Sequence, residues 1–213
     1  MVDNFDKIAP LLDFGGELDF YFVSLILRKK DQTTTYGNKN NSARIIKNYH
    51  FFNLEQFREK EIEIKALCEE FGCRAGFYLN RRNLKVISLR MLVKLATNIE
   101  SGNWNCLGLL GSTLGEKYST DRIKFLDCDS FKEYRVLKKL LQNEKLRPQG
   151  VDKILAEIPT NSGYHLVTSR FDVEAFKTLI EQEEDFEYDY KQGEQLVNPV
   201  ALYYPKRNDK HAI

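Results

Sequence analysis

The sequence lacks any apolar run approaching the roughly 20 residues of a membrane span. Its first ten residues, Met1–Pro10, carry acidic groups and no apolar core, so neither a membrane-spanning helix nor a secretory leader is expected. Cysteine is scarce and unpatterned: Cys68, Cys73, Cys106 and Cys128 form no Cys-x-x-Cys pair, and there are only three histidines. That combination excludes the usual structural zinc sites and fits a reducing cytoplasm. An excess of either charge is missing too, with 32 basic against 31 acidic residues. A polyanionic partner would therefore need a local basic patch, since the field of the whole protein supplies none. No internal repeat is found.

What is present is enough apolar material, 42% of 213 residues, to bury a core without disulfides or structural metal. Phe20–Arg28 (FYFVSLILR) reads as a strand. Lys29–Ser42 reads as a polar loop, and Ala43–Phe52 as a second strand paired with the first. Asn53 caps a helix over Leu54–Phe71, which carries Leu54, Phe57, Ile62, Ile64 and Leu67 and is stopped by Gly72. Cys73–Leu79 is a strand. Asn83–Glu100 is a helix with Ile87, Met91, Leu92, Leu95 and Ile99 as its apolar stripe. Gly102–Ser119 is rich in glycine and serine and reads as a linker. A regular series follows: strand Arg122–Asp127, a helix from Ser130 to about Gln142, strands Lys153–Pro159 and Tyr164–Ser169, a helix capped by Asp172, and strand Val200–Tyr204. The expected fold is α+β: an N-terminal α/β module over 1–120, then an RRM/ferredoxin-like βαββαβ core over 121–213.

In that topology the four core strands lie in the order 4-1-3-2. The third runs antiparallel to the first and beside it, so the end of one meets the start of the other. Asp127 and Asp129 stand at the first meeting point and His165 at the second, although far apart in sequence. The fourth strand would deliver Asp189 to the same end. Positions i and i+2 of a strand project from one face, so the two aspartates are expected side by side. Bare, such carboxylates repel. A divalent cation removes that cost, because Mg²⁺ takes oxygen ligands while keeping waters and substrate phosphates in its shell, and paired ions can hold both oxygens of a phosphoryl transfer. Ser162 and Gly163 make a tight turn before His165, which can donate a hydrogen bond to a phosphate oxygen. Plainer roles exist for the same residues: a solvated strand end, Asp129 helping Ser130 cap a helix, and a half-exposed strand histidine.

Lys124–Asp129 (KFLDCD) and Thr160–Val167 (TNSGYHLV) resemble the first two motifs of the archaeo-eukaryotic primase superfamily, which includes primase-polymerases of plasmids and phages. The resemblance covers roughly residues 75–204. It implies Asp127, Asp129 and Asp189 as catalytic metal ligands for Mg²⁺ or Mn²⁺, and His165, with Ser162 and Gly163, as nucleotide contacts. Asp185 and Glu187 compete with Asp189 for the third position. The turn before His165 is shorter than the family's commoner Ser-Gly-x-Gly-x-His. Arg81 and Arg82, after Asn80, match an Asn-x-Arg-like element of some relatives and are expected to clamp phosphates.

The implied function is template-dependent nucleotidyl transfer in DNA replication. Its partners would be a single-stranded nucleic acid template, nucleoside triphosphates and a helicase or other replication partner, with no membrane. No helicase motif or accessory primase domain is found, so the resemblance implies a minimal catalytic core. Lys29, Lys30, Lys39, Arg44 and Lys47 suit a template-binding surface or, more simply, a charged hairpin. Tyr164 suits base stacking or the core. The rival function is a non-catalytic RRM-like module that binds single strands by stacking and basic grooves. A metal nuclease would use the same carboxylates. A rolling-circle initiator wants a second histidine near His165 and finds none.

Overall fold

The computed structural model describes residues 1–32, 43–104, 106–114, 121–191 and 198–206. The chain is α+β, with a five-stranded and a three-stranded antiparallel sheet. In order the elements are β1 (Val2–Asp3), α1 (Phe5–Ile8), β2 (Asp19–Leu27), β3 (Arg44–Phe51), α2 (Leu54–Glu59), α3 (Glu61–Phe71), β4 (Arg74–Asn83) and α4 (Leu84–Glu100). There follow α5 (Leu109–Leu114), β5 (Lys124–Cys128), α6 (Phe131–Leu141), β6 (Ile154–Pro159), β7 (Tyr164–Thr168), α7 (Val173–Glu181) and β8 (Val200–Tyr204).

The helix starts follow local chemistry. Side-chain oxygens of Asn53, Asn83, Ser130 and Asp172 each accept the backbone N–H three residues on, which satisfies a donor that the first turn leaves open. Gly72, at φ +60°, ends α3, in a left-handed conformation that costs glycine least. The helix expected over Leu54–Phe71 is interrupted at Lys60; Phe57 and Ile64 are buried and Ile62 is exposed. The expected linker contains α5.

The small sheet has the order β5-β7-β6, the expected 1-3-2 arrangement. The fourth strand does not complete it. β8 joins the large sheet instead, whose order is β1-β8-β4-β2-β3, and pairs antiparallel with β4 and β1. This corrects the expected 4-1-3-2 order, because the C-terminal strand is built into the sheet that holds β2, β3 and β4. The physical reason lies in pairing: Val200, Ala201, Leu202 and Tyr203 are all buried, and between β1 and β4 the strand has a hydrogen-bonding neighbour on each side, where an edge beside β5 would offer one.

Strand alternation divides the small sheet's side chains. Leu126, Cys128 and Leu166 pack with α6 and α7. Phe125, Ile158 and Val167 point the other way, into the core beneath the large sheet with Val23, Phe77 and Val200. The sheet face opposite the helices is therefore largely filled, and its open part lies at one end. Cross-sheet hydrogen bonds fix the seam: Asn4 Nδ2 donates to the Pro159 and Ala201 carbonyls, both at 2.9 Å. Asn80 exchanges two bonds with the backbone of Ile123, just before β5.

Candidate functional site

The pairing of β5 with β7 sets Asp127 directly opposite His165. Both side chains project from the face that meets the large sheet, and His165 Nε2 lies 3.3 Å from Asp127 Oδ1. The histidine is buried and the aspartate side chain 59% exposed. One flank of the imidazole rests on Phe125, with ring centres 4.6 Å apart. Its Nδ1 accepts the backbone N–H of Ala201 in β8, at 3.2 Å. An accepting Nδ1 carries no proton, so in neutral imidazole the hydrogen sits on Nε2, facing Asp127 and the open groove.

Asp129 follows β5 and is exposed. It does not cap α6. Ser130 does, while Glu133 accepts the backbone N–H of Asp129 at 2.9 Å and bonds Ser130 in return. The Asp129 carboxylate is left facing solvent. Gly163 explains how the turn before His165 comes so close: a Cβ there would stand 1.8 Å from the Cys128 carbonyl oxygen. Thr160 Oγ1 accepts the backbone N–H of Gly163 and shapes the turn. Gly163 thus has a packing reason of its own, and Ser162 is exposed at the rim.

Two adjoining depressions of about 530 and 580 Å³ share Asp127, Asp129, His165 and Tyr204. The first also contains Glu187, Asp189 and Lys191. Phe186, Tyr188 and Tyr190 turn inward onto the small sheet's core, so the alternate residues Glu187 and Asp189 reach the groove. Burial pushes the Tyr188 hydroxyl pKa up, and that hydroxyl meets the Asp127 backbone. Asp185 is absent from both linings, and Asp189 pairs with Lys191 at 3.1 Å. Among the described residues no three Asp, Glu, His or Cys side chains converge as a ready metal cage. Asp127 and Asp129 supply two exposed oxygen donors on one face, a set that fits a hard cation keeping most of its waters.

The second depression holds two residues that the sequence reading missed, Arg28 and Arg74. Their strands pair with Ile26 opposite Arg74, which brings both guanidinium groups to the carboxylate end of the seam. Asp31 holds them, at 2.7 Å from Arg28 and 3.5 Å from Arg74, and Arg74 lies 4.5 Å over the Tyr204 ring. Burial lowers the Arg74 pKa, with the Arg28 charge adding to the effect. The signal was present in sequence, Arg28 at the end of one apolar strand and Arg74 at the start of another, but it needed the pairing of β2 with β4.

Arg81 and Arg82 are not brought to this site. They lie within β4, at its far end from Arg74. Arg81 is held by Asp13, Asp19 and Asp121. Arg82 is buried and bonds the Asn80 and Leu114 carbonyls. Tyr164 packs against Tyr134 in the helix-covered core, with ring centres 4.4 Å apart, so the core reading holds. Lys47 pairs with Glu63 and stands over the Tyr49 ring. Lys39 and the side chain of Lys30 lie outside the described residues.

No family model, curated protein or solved structure matches the chain. No helix among the described residues is long and apolar enough to cross a membrane.

Proposed function

We propose that the chain is a metal-dependent nucleotidyltransferase of primase-polymerase type, acting on nucleoside triphosphates along a single-stranded template. The observation that carries the reading is the cross-strand pair of Asp127 and His165, with the Asp129 carboxylate open beside it and Arg28 and Arg74 across the same groove. We read β5-α6-β6-β7-α7 as the catalytic part of an RRM-like sheet, and the resemblance to archaeo-eukaryotic primases agrees with it.

Asp127 and Asp129 would hold Mg²⁺ or Mn²⁺, with Asp189 as third ligand after release from Lys191. The bound cation would offset the charge of the triphosphate beside the carboxylates. The chain's own groups then position the substrate. The Nε2–H of His165 donates to a phosphate oxygen, its tautomer held by Ala201. Arg28 and Arg74 face the remaining phosphate charge, and guanidinium groups suit phosphate oxygens geometrically. Phosphoryl transfer needs mainly such positioning and charge stabilisation.

The test is incorporation of labelled nucleotides on a single-stranded template with Mg²⁺ or Mn²⁺. Wild type is expected to incorporate, and Asp127→Asn is expected not to. A triphosphate that fails to bind even with Mn²⁺ and template present would reduce the chain to a non-catalytic single-strand binder.

A further inference from the structure

Helix α4 is apolar on two sides. Ile87 is buried and Met91 half-buried against Phe20 and Phe22 of the large sheet. Among the described residues nothing covers the opposite side: Leu89 is 55% exposed, Leu92 63% and Val93 58%, and Val86, Ala96 and Ile99 are exposed as well. At 3.6 residues per turn these positions form one stripe along the helix. A continuous apolar stripe in water is the mark of an interaction surface.

The order of residues along the stripe says what covers it. About a midpoint between Leu92 and Val93, each position of the stripe has a counterpart. Leu92 matches Val93, Leu89 matches Ala96, Val86 matches Ile99, and Lys85 matches Glu100. The first three pairs are apolar with apolar, and Leu89 with Ala96 sets a large side chain against a small one. The fourth is a cation with an anion. Lys85 and Glu100 are exposed and have no ion-pair partner among the described residues. A surface whose two halves match in this way is complementary to itself under two-fold rotation, the symmetry of an isologous dimer.

We infer that the chain forms a homodimer in which α4 packs antiparallel on α4 of a second copy, with Lys85 of each chain against Glu100 of the other. Antiparallel helices oppose their dipoles favourably. Trp104 and Leu107, in the segment that follows the helix, are exposed as well. The large sheet stands between α4 and the carboxylate groove, since Phe20 and Phe22 face α4 while Val23 and Phe77 face the core shared with the small sheet. The dimer leaves both grooves open, and the inference does not depend on the proposed chemistry.

The experiment is sedimentation of the full chain over about 1–100 μM, a range that brackets the affinity of a small interface. Wild type is expected to move with concentration from 24.9 kDa to twice that mass. Leu92→Glu, at an exposed position, is expected to remain monomeric with an unchanged circular dichroism spectrum and melting temperature. Lys85→Glu and Glu100→Lys should each weaken association about tenfold at low salt, because each reversal places like charges together twice per dimer. The double variant should recover wild-type affinity. A wild type that stays monomeric throughout overturns the inference and leaves the stripe to a different protein. A Leu92→Glu dimer as tight as wild type overturns it as well. A double variant no tighter than the single ones overturns the antiparallel register.

Discussion

The backbone N–H of Ala201 in the large sheet donates to Nδ1 of His165 in the small one, over 3.2 Å. The bond fixes the tautomer and ties the candidate site to a strand 36 residues further along the chain. It also separates two roles of the histidine. His165→Ala strands a buried N–H and leaves a void, and is expected to destabilise the fold by about 1–3 kcal/mol as well as weaken nucleotide binding. His165→Asn can keep an acceptor near the Nδ1 position while lacking Nε2. It should melt closer to wild type yet bind triphosphate as poorly as the alanine variant. Calorimetry beside a triphosphate titration checks this, and equal melting of the two variants would remove the Ala201 bond as a stabilising contact.

Asp127→Asn and Asp129→Asn should abolish metal-dependent incorporation while changing stability by no more than about 0.5 kcal/mol, the usual range for exposed positions. Neither carboxylate is needed for the fold, since Ser130 and Glu133 cap α6 without Asp129. Denaturant titration and nucleotide incorporation measure the two halves. Marked unfolding of either variant would make the pair structural.

Gly163→Ala tests the close approach of the turn. Its Cβ would overlap the Cys128 carbonyl oxygen at 1.8 Å, and that atom belongs to backbone that cannot rotate aside. Displacing the turn from β5 should cost about 1–3 kcal/mol, as overpacking does, and should separate His165 from Asp127. A variant with wild-type melting temperature and activity would show that the turn moves freely.

Arg74→Ala should weaken triphosphate affinity by about tenfold or more, the loss of a hydrogen bond to a charged group. Arg74→Lys should recover only part, because an ammonium cannot match the planar stacking over Tyr204 or bind two oxygens at once. Isothermal titration with Mg²⁺ present reads both. Unchanged affinity in Arg74→Ala would assign the arginine to holding Asp31 alone.

Stability should fall in mild acid through His50. Its ring sits between Phe20 and Phe22, its Nε2 is buried without a partner, and burial lowers its pKa from 6.5. The unfolded chain therefore takes up the proton first as pH drops, so stability is intact above about 6.5 and declines below it. His50→Leu should flatten that limb. Denaturant midpoints measured from pH 7.5 to pH 5, a range spanning the histidine titration, decide it. An identical slope in wild type and variant would place the acid sensitivity elsewhere.

The sequence by itself determined the capped helix starts and most strands, because their signals are local. The oxygens of Asn53, Asn83, Ser130 and Asp172 cap within three residues, and Gly72 and Gly163 stand where a side chain is strained or collides. It also determined that Asp127 faces His165, since neighbouring antiparallel strands oppose an end to a start. Tertiary structure alone decided where Val200–Tyr204 goes. Four buried apolar residues, Val200 to Tyr203, carry no mark of which sheet receives them, and the gap between β1 and β4 satisfies backbone bonds on both sides. The same long-range pairing made Arg28 and Arg74 neighbours of Asp127 and sent Arg81 and Arg82 to the far end of β4. A strand's sequence states what its side chains are, but the position of its two ends depends on partners far away in the chain.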